Sequence, residues 1–240
     1  MFEISILHSN LLKRIFEGEC IKKNDYQFFD KTIYIEQAFY LITLYTMRKT
    51  LENLTKAFVG ESQARNRYAI YASAARKEGL LQIAEIFEQT AEQEREHASR
   101  FFKMIQAVKA KMGEDMDEVV VDTGAFVKVW TTLENLQFAI NGEHHENQNL
   151  YPEFAKIAEE EWLPEIAARI LAISHAEEHH EARYQAVRDQ LSAGTLASKS
   201  EDIEWMCTKC GYVHKGKFPP AKCPSCDHEA NYYIVKCEQY

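Results

Sequence analysis

From Leu51 onward the chain places apolar residues at alternating steps of three and four, the spacing of one face of an α-helix. Positions 51, 54, 58, 61, 65, 68, 72 and 75 read Leu, Leu, Phe, Glu, Arg, Tyr, Ala and Ala. Positions 80, 83, 87, 90, 94, 97, 101, 104 and 108 read Leu, Ile, Phe, Thr, Glu, His, Phe, Met and Val. A third run steps through Phe126, Val129, Leu133, Leu136, Ile140, Glu143, Asn147, Leu150, Phe154 and Ile157. The fourth goes from Leu163 through Ile166, Ile170, Ile173, Glu177, His180, Tyr184 and Val187 to Leu191. Four stripes of this length predict an all-α, antiparallel four-helix bundle over residues 47–194. Gly79 ends the first helix, the stretch from Gly113 to Gly124 separates the second from the third, Pro164 opens the fourth and Gly194 follows its end. Pro152 should kink or split the third helix, because proline has no N–H to donate and crowds the preceding turn. The connection 113–124, fully extended, covers about 40 Å, enough either to cross the length of the bundle or to loop locally.

Residues 1–46 share none of this periodicity, lack the bias of an organelle transit peptide, and are expected to form a loosely ordered extension to which no function is assigned. With 46% hydrophobic residues, 9 Gly and 5 Pro in 240 residues, the remainder can bury a large core with few long loops. A net charge of −9, from 28 basic and 37 acidic residues, argues against gripping nucleic acid or anionic lipid through a basic face. No apolar run reaches the roughly 18 residues of a membrane span, so a soluble protein is expected. Of 6 Cys, 5 fall between Cys207 and Cys237. That clustering reads as a metal site in a reducing, cytoplasmic setting rather than as a secreted disulfide framework.

The informative positions are the charged ones that interrupt the apolar stripes: Glu61, Glu94, His97, Glu143, Glu177 and His180. A buried carboxylate without a partner is so costly that several together demand a cation. Their heights agree. Glu61 lies 18 residues before Gly79, and Glu94 and His97 lie 15 and 18 after it; Glu143 lies 20 before Leu163, and Glu177 and His180 lie 14 and 17 after it. Each Glu-x-x-His pair presents carboxylate and imidazole on one helical face. With 29 Glu and 9 His, about one such pair is expected by chance, so the motif alone is weak. Two pairs on different stripes, opposite a Glu on each of the other two, form the pattern of ferritin-like dinuclear carboxylate bundles. Glu146, one turn after Glu143, adds a fifth carboxylate, either as a ligand or as an acceptor behind the metals. Five negative charges lie between the four positive charges of two ferrous ions and the six of two ferric ions, a balance suited to redox cycling. One arrangement consistent with that count has Glu146 bound in the oxidised state and His97 in its place after reduction. His144, His145, His175 and His179 lie off the stripes and are expected at or near the surface.

After a linker, Thr195 to Asp202, come two Cys-x-x-Cys knuckles, Cys207/Cys210 and Cys223/Cys226, separated by 12 residues. They predict a tetrahedral four-thiolate site, for iron or zinc, in a small β module over residues 201–240. Cys237 has no partner motif.

The segments Gly60-Glu61-Ser62-Gln63-Ala64-Arg65-Asn66-Arg67-Tyr68, Glu94-Arg95-Glu96-His97, Gly142-Glu143-His144-His145-Glu146, Ala176-Glu177-Glu178-His179-His180 and the two knuckles, in that order, resemble the rubrerythrin family from Met47 to the C-terminus. The resemblance implies a non-haem di-iron site on Glu61, Glu94, His97, Glu143, Glu146, Glu177 and His180. It further implies a rubredoxin-like iron on Cys207, Cys210, Cys223 and Cys226, a choice that spacing leaves open between iron and zinc. It also implies peroxidase activity, the reduction of hydrogen peroxide to water with electrons passing through the thiolate iron as a defence against oxidative stress. Tyr68 and Tyr151 match family tyrosines beside the metals, although Tyr68 also suits plain core packing. The family is dimeric, with the small domain of one subunit near the di-iron site of the other. No Gly-rich dinucleotide fingerprint is present, so a separate electron donor, a rubredoxin or a nicotinamide-dependent reductase, is expected. Two alternatives stand beside this reading: a ferroxidase or iron store using the same carboxylates, and a zinc ribbon that recruits a partner with the bundle as scaffold.

Overall fold

A computed structural model describes residues 47–237; the expected extension 1–46 lies outside the described residues. Among the described residues, five α-helices and a three-stranded sheet follow one another. Helices α1 (Arg48–Lys77) and α2 (Leu81–Met112) form the first antiparallel hairpin. Helices α3 (Thr132–His145) and α4 (Tyr151–Glu160), joined by a single π turn (Glu146–Leu150), pack on α5 (Pro164–Ser192) as the second.

Helix ends are set locally. Gly79 adopts φ 78° and lets Leu80 N–H return to the Ala75 carbonyl at 2.9 Å, closing α1. The N-terminus of α1 has no capping side chain of its own; the Glu161 carboxylate, from the far hairpin, accepts from the Lys49 and Thr50 amides at 3.2 and 2.8 Å. The connection after α2 is a crossover. The amide of Thr132 donates to Glu78 at 2.9 Å, so α3 begins at the Gly79 end of the bundle. Helix α2 leaves the chain at the opposite end, its 32 residues being about 48 Å long.

Two details of the third helix depart from the periodicity. Phe126 and Val129, expected on its stripe, belong to the extended crossover and are exposed. The helix starts instead at Thr132, where Thr131 and Glu134 form a reciprocal capping box that fixes the boundary, and Leu133 points outward. Further along, Pro152 splits the helix by way of the π turn, in which the Tyr151 amide donates to the Glu146 carbonyl five residues back. That turn takes up one extra residue. The buried face therefore continues at Tyr151, Phe154, Ala155 and Ala158, and the expected positions Leu150 and Ile157 are only half-buried. The stripes of α2 and α5 are buried nearly as expected, from Ile83 to Val108 and from Leu163 to Val187.

Beneath the site, towards the Gly79 end, Tyr68, Phe87 and Tyr184 from three helices pack in tilted and edge-on pairs, their ring centroids 5.2–6.0 Å apart. Each such pair adds about 0.5–1.5 kcal/mol beyond simple burial, which ties α1, α2 and α5 into one rigid floor.

The C-terminal sheet has the order β2-β1-β3, all antiparallel, with β1 Ile203–Cys207, β2 Val213–Gly216 and β3 Tyr233–Val235. Its small core is Trp205, Cys207, Cys223 and Tyr233. Trp205 buries its ring and donates through Nε1 to the Gly216 carbonyl at 2.9 Å. Asn231 reaches the Gly79 carbonyl at 3.3 Å, so the module rests on the turn between α1 and α2.

Candidate metal centre

Helices α1, α2, α3 and α5 each send acidic or imidazole side chains to one level of the bundle interior. Glu61, Glu94, Glu143, Glu177 and His180 are at most 2% exposed, and the His97 side chain is 15% exposed. Their potential ligand atoms fall into two groups, each within 4.8 Å: Glu61, Glu94, His97 and Glu177, and Glu94, Glu143, Glu177 and His180. Glu94 and Glu177 belong to both. Two positions for a cation, with two carboxylates shared between them, is the geometry of a dinuclear centre.

The polar atoms show that the cluster suits metal ions better than it suits itself. His180 Nδ1 lies 2.8 Å from Glu177 and 3.1 Å from Glu94, yet at angles that leave it without a hydrogen bond. Glu61 Oε2, Glu94 Oε1, Glu143 Oε2 and both oxygens of Glu177 are likewise buried with no partner. Orphaned buried carboxylate oxygens converging on two points are what a pair of hard cations would satisfy. Of the remaining oxygens, two are held by tyrosines, Tyr68 donating to Glu143 Oε1 and Tyr151 to Glu61 Oε1, and Glu94 Oε2 lies 3.0 Å from His97 Nδ1. Both tyrosines thus stand beside the cluster, Tyr68 while also packing in the aromatic floor.

Electrostatics follow from this crowding. Burial, then the neighbouring Glu177, Glu94 and Glu146, push the Glu61 carboxyl well above its ordinary range. Burial and the nearby Glu94 raise Glu143 to about 8. Burial works in the same direction on Glu94, but the His180 and His97 rings win and hold it down at about 2. Burial disfavours both imidazolium ions, and is outweighed by the carboxylates: Glu177 and Glu94 raise His97 to about 10, and Glu143, Glu177 and Glu94 push His180 up to about 12. In the metal-free protein the raised groups stabilise the fold below their unfolded values, and that stability is lost as pH climbs towards the folded values. For His97 the window runs from 6.5 to about 10, and for Glu143 from 4.5 to about 8. Glu94 acts oppositely, its contribution disappearing as pH falls from 4.5 to about 2. Metal-free protein is therefore expected to melt at progressively lower temperature as pH rises from 6.5 to about 10. Metal-loaded protein should not show that loss, because bound imidazole is already neutral. Parallel thermal melts of the two forms check this.

Glu146 opens the π turn, half-buried, outside the two ligand groups but close enough that Glu143, Glu177 and Glu94, after burial, push its carboxyl well above the ordinary range. His97 stands inside the first group. Arg67, which sequence reasoning passed over, opposes the shift on Glu146 and spreads its guanidinium 5.4 Å from the Tyr68 ring and 5.6 Å from Phe126. An arginine one residue before a stripe tyrosine was the available signal. His144, His145, His175 and His179 are exposed, as their positions off the stripes require.

The four cysteines of the module also converge. Cys207 Sγ lies 3.7 Å from Cys226 Sγ and Cys210 Sγ lies 3.6 Å from Cys223 Sγ, with all four within 4.8 Å. Those separations are too long for disulfides, but a tetrahedron with metal–sulfur bonds of about 2.3 Å has edges of about 3.8 Å. The knuckles are built alike. Gly211 and Asp227, four residues after the first Cys of each, take φ 75° and 59° and donate to the Cys207 and Cys223 carbonyls, both at 2.9 Å. Asp227 thus fills a left-handed position where the first knuckle uses glycine. Cys237 is exposed and pairs with no other cysteine among the described residues.

A ferritin-like helical bundle with a converging carboxylate–histidine centre, followed by a rubredoxin-like four-cysteine module, defines the class of protein. The family models agree: the rubrerythrin model matches residues 52–188, and that of the rubrerythrin rubredoxin-like domain matches residues 205–234. The chain is 51% identical to a putative rubrerythrin of Methanocaldococcus jannaschii, covering 81% of this chain and 96% of that one. It is 43% identical to a rubrerythrin of Clostridium perfringens over 80% of this chain and 96% of the relative. Among solved structures it resembles partially reduced nigerythrin, with a TM-score of 0.51 at 31% identity, covering 78% of this chain and 86% of that one. The chain belongs to the rubrerythrin family.

Proposed function

We propose that this protein is a non-haem di-iron peroxidase that reduces hydrogen peroxide to water, with electrons delivered through iron in the four-cysteine module. The observation that carries the reading is the set of orphaned buried carboxylate oxygens and the unpartnered His180 Nδ1 on four helices, beside a four-thiolate site. Iron is supported by a similar solved structure, that of nigerythrin in its fully reduced, all-ferrous state. Glu61, Glu94, His97, Glu143, Glu177 and His180 would hold the pair, with Glu146 available beside them; Cys207, Cys210, Cys223 and Cys226 would hold the third iron. Two ferrous ions bound there supply one electron each, enough to cleave the O–O bond of hydrogen peroxide and, with two protons, give two waters.

The chain's own part is orientation and exclusion. Tyr68 and Tyr151 keep their protons, since burial pushes both phenols well above their ordinary value, and they fix one oxygen each of Glu143 and Glu61. The aromatic floor of Tyr68, Phe87 and Tyr184 closes the Gly79 side against water.

The module touches the bundle at Gly79, and Glu94 lies 15 residues beyond, about 22 Å along α2. Electron tunnelling falls off exponentially with distance, so a transfer within one chain would be slow. This supports a homodimer in which the partner subunit's module serves this chain's centre. A separate donor, a rubredoxin or a nicotinamide-dependent reductase, would refill the thiolate iron. Five free cysteines among the described residues suit a reducing, cytoplasmic setting. No helix of the described residues is long and apolar enough to cross a membrane.

Elemental analysis with a visible spectrum of protein purified without oxygen tests the reading. Three irons per chain and a coloured thiolate centre are expected; colourless protein with one zinc would favour the zinc-ribbon reading instead.

A further inference from the structure

The π turn deprives the Asn147 carbonyl of its α-helical partner. In an α-helix the Asn147 carbonyl would receive the Tyr151 amide, but that amide is directed to Glu146. The next amide along, which a second π bond would use, belongs to Pro152 and has no hydrogen. The Asn147 carbonyl is met from another helix: Ser174 Oγ of α5 donates to it at 3.1 Å, both residues being at most 7% exposed. A helical serine ordinarily spends its hydroxyl on its own helix, four residues back. Ser174 instead reaches across to the interrupted one.

The Asn147 side chain is clamped to the same helix. Its Nδ2 donates to Glu181 Oε2 at 2.8 Å, and the other carboxylate oxygen lies 3.0 Å from His144 Nδ1 and accepts from Gln185 at 3.2 Å. Glu181 immediately follows His180 on α5, and Ser174 lies one turn before Glu177. The clamp is thus built on the stretch of α5 that presents two candidate ligands.

Register is what the clamp controls. In an unbroken α-helix Tyr151 would sit about 140° around the axis from Glu146. Closing the turn over five residues brings Tyr151 beneath Glu146, where it is buried and donates to Glu61 across the centre.

We propose that Ser174 is a positioning residue: its hydroxyl, together with the Asn147–Glu181 pair, holds the π turn that sets Glu146 and Tyr151 against the metal centre. The inference rests on the proposed dinuclear reading and adds to it three residues that touch neither metal nor peroxide.

The test uses the full chain, stripped of metal, with the thiolate site filled by one equivalent of zinc, then titrated with cobalt(II) and followed by visible absorption. Wild-type protein is expected to take two cobalt ions in the bundle. Ser174→Ala should lose about tenfold or more in affinity for one of them, the scale on which partners behind metal ligands act. Ser174→Thr, which keeps the hydroxyl, should restore it. If Ser174→Ala binds both ions with wild-type affinity, even while melting at lower temperature, the serine is merely structural and the proposal fails. Equal loss in Ser174→Thr would also overturn the assignment to the hydroxyl. Wild-type protein that takes no pair of ions would sink the dinuclear reading itself, a failure visible before any variant is made.

Discussion

Glu177→Ala is expected to empty the bundle of its metal pair. Glu177 and Glu94 are the two carboxylates common to both ligand groups, and Glu177 is the more exacting of them, since both of its oxygens are buried and orphaned. Removing it deprives both positions of a ligand at once. Substitutions of residues that only support ligands cost about 10- to 100-fold in metal affinity or activity, so loss of a shared ligand should exceed about 100-fold in peroxide turnover. The measurement is iron content beside steady-state peroxidase rate, with the visible spectrum of the thiolate iron as an internal control that the chain has folded. A variant that still holds two bundle irons per chain and turns over peroxide would show that the convergence of the carboxylates is not the catalytic centre.

Cys207→Ser combined with Cys210→Ser is expected to act at the other end of the proposed electron path. Two of four thiolates are lost, and no tetrahedral sulfur site remains to carry electrons. Multiple turnover with a protein electron donor should drop to background, while the bundle keeps two irons and, once chemically reduced, still consumes one equivalent of peroxide. That single-turnover control matters because the small module depends on its metal to fold. A ferroxidase or iron store would be indifferent to the double substitution. Undiminished steady-state turnover of peroxide would overturn the proposed electron path through the thiolate iron.

Much of the centre was legible in the chain because a helix converts sequence spacing into direction. Glu94 with His97 and Glu177 with His180 stood on apolar stripes at matched distances from tight turns, and the structure brings all four within one cluster together with Glu61 and Glu143. The four cysteines were equally legible, since two short knuckles carry their own local geometry. Glu146 was harder. Its spacing put it one turn from Glu143, but its actual placement depends on a turn that is not α-helical.

The errors cluster in the third helix, and each has a cause that periodicity does not register. Phe126 and Val129 continue the apolar rhythm into a segment that is extended, because the capping box at Thr131 and Glu134 overrides the pattern. Leu150 and Ile157 fell off the buried face because one residue was absorbed by the π turn at Pro152. Whether the connection that opens with residues 113–124 loops or crosses depends on which helix ends meet, a question answered by the contact of Thr132 with Glu78.

The amino-acid order alone marked four helical stripes and most of the charged side chains that converge inside the bundle, because those follow from local periodicity and from the cost of burying charge. Tertiary structure alone decided which carboxylates are common to both groups of ligand atoms, that His97 rather than Glu146 stands within those groups, and that Ser174 answers the Asn147 carbonyl that the π turn leaves without its α-helical amide. These are relations between helices far apart in the chain. Their distances are set by side-chain packing across the bundle, which no spacing within a single helix encodes.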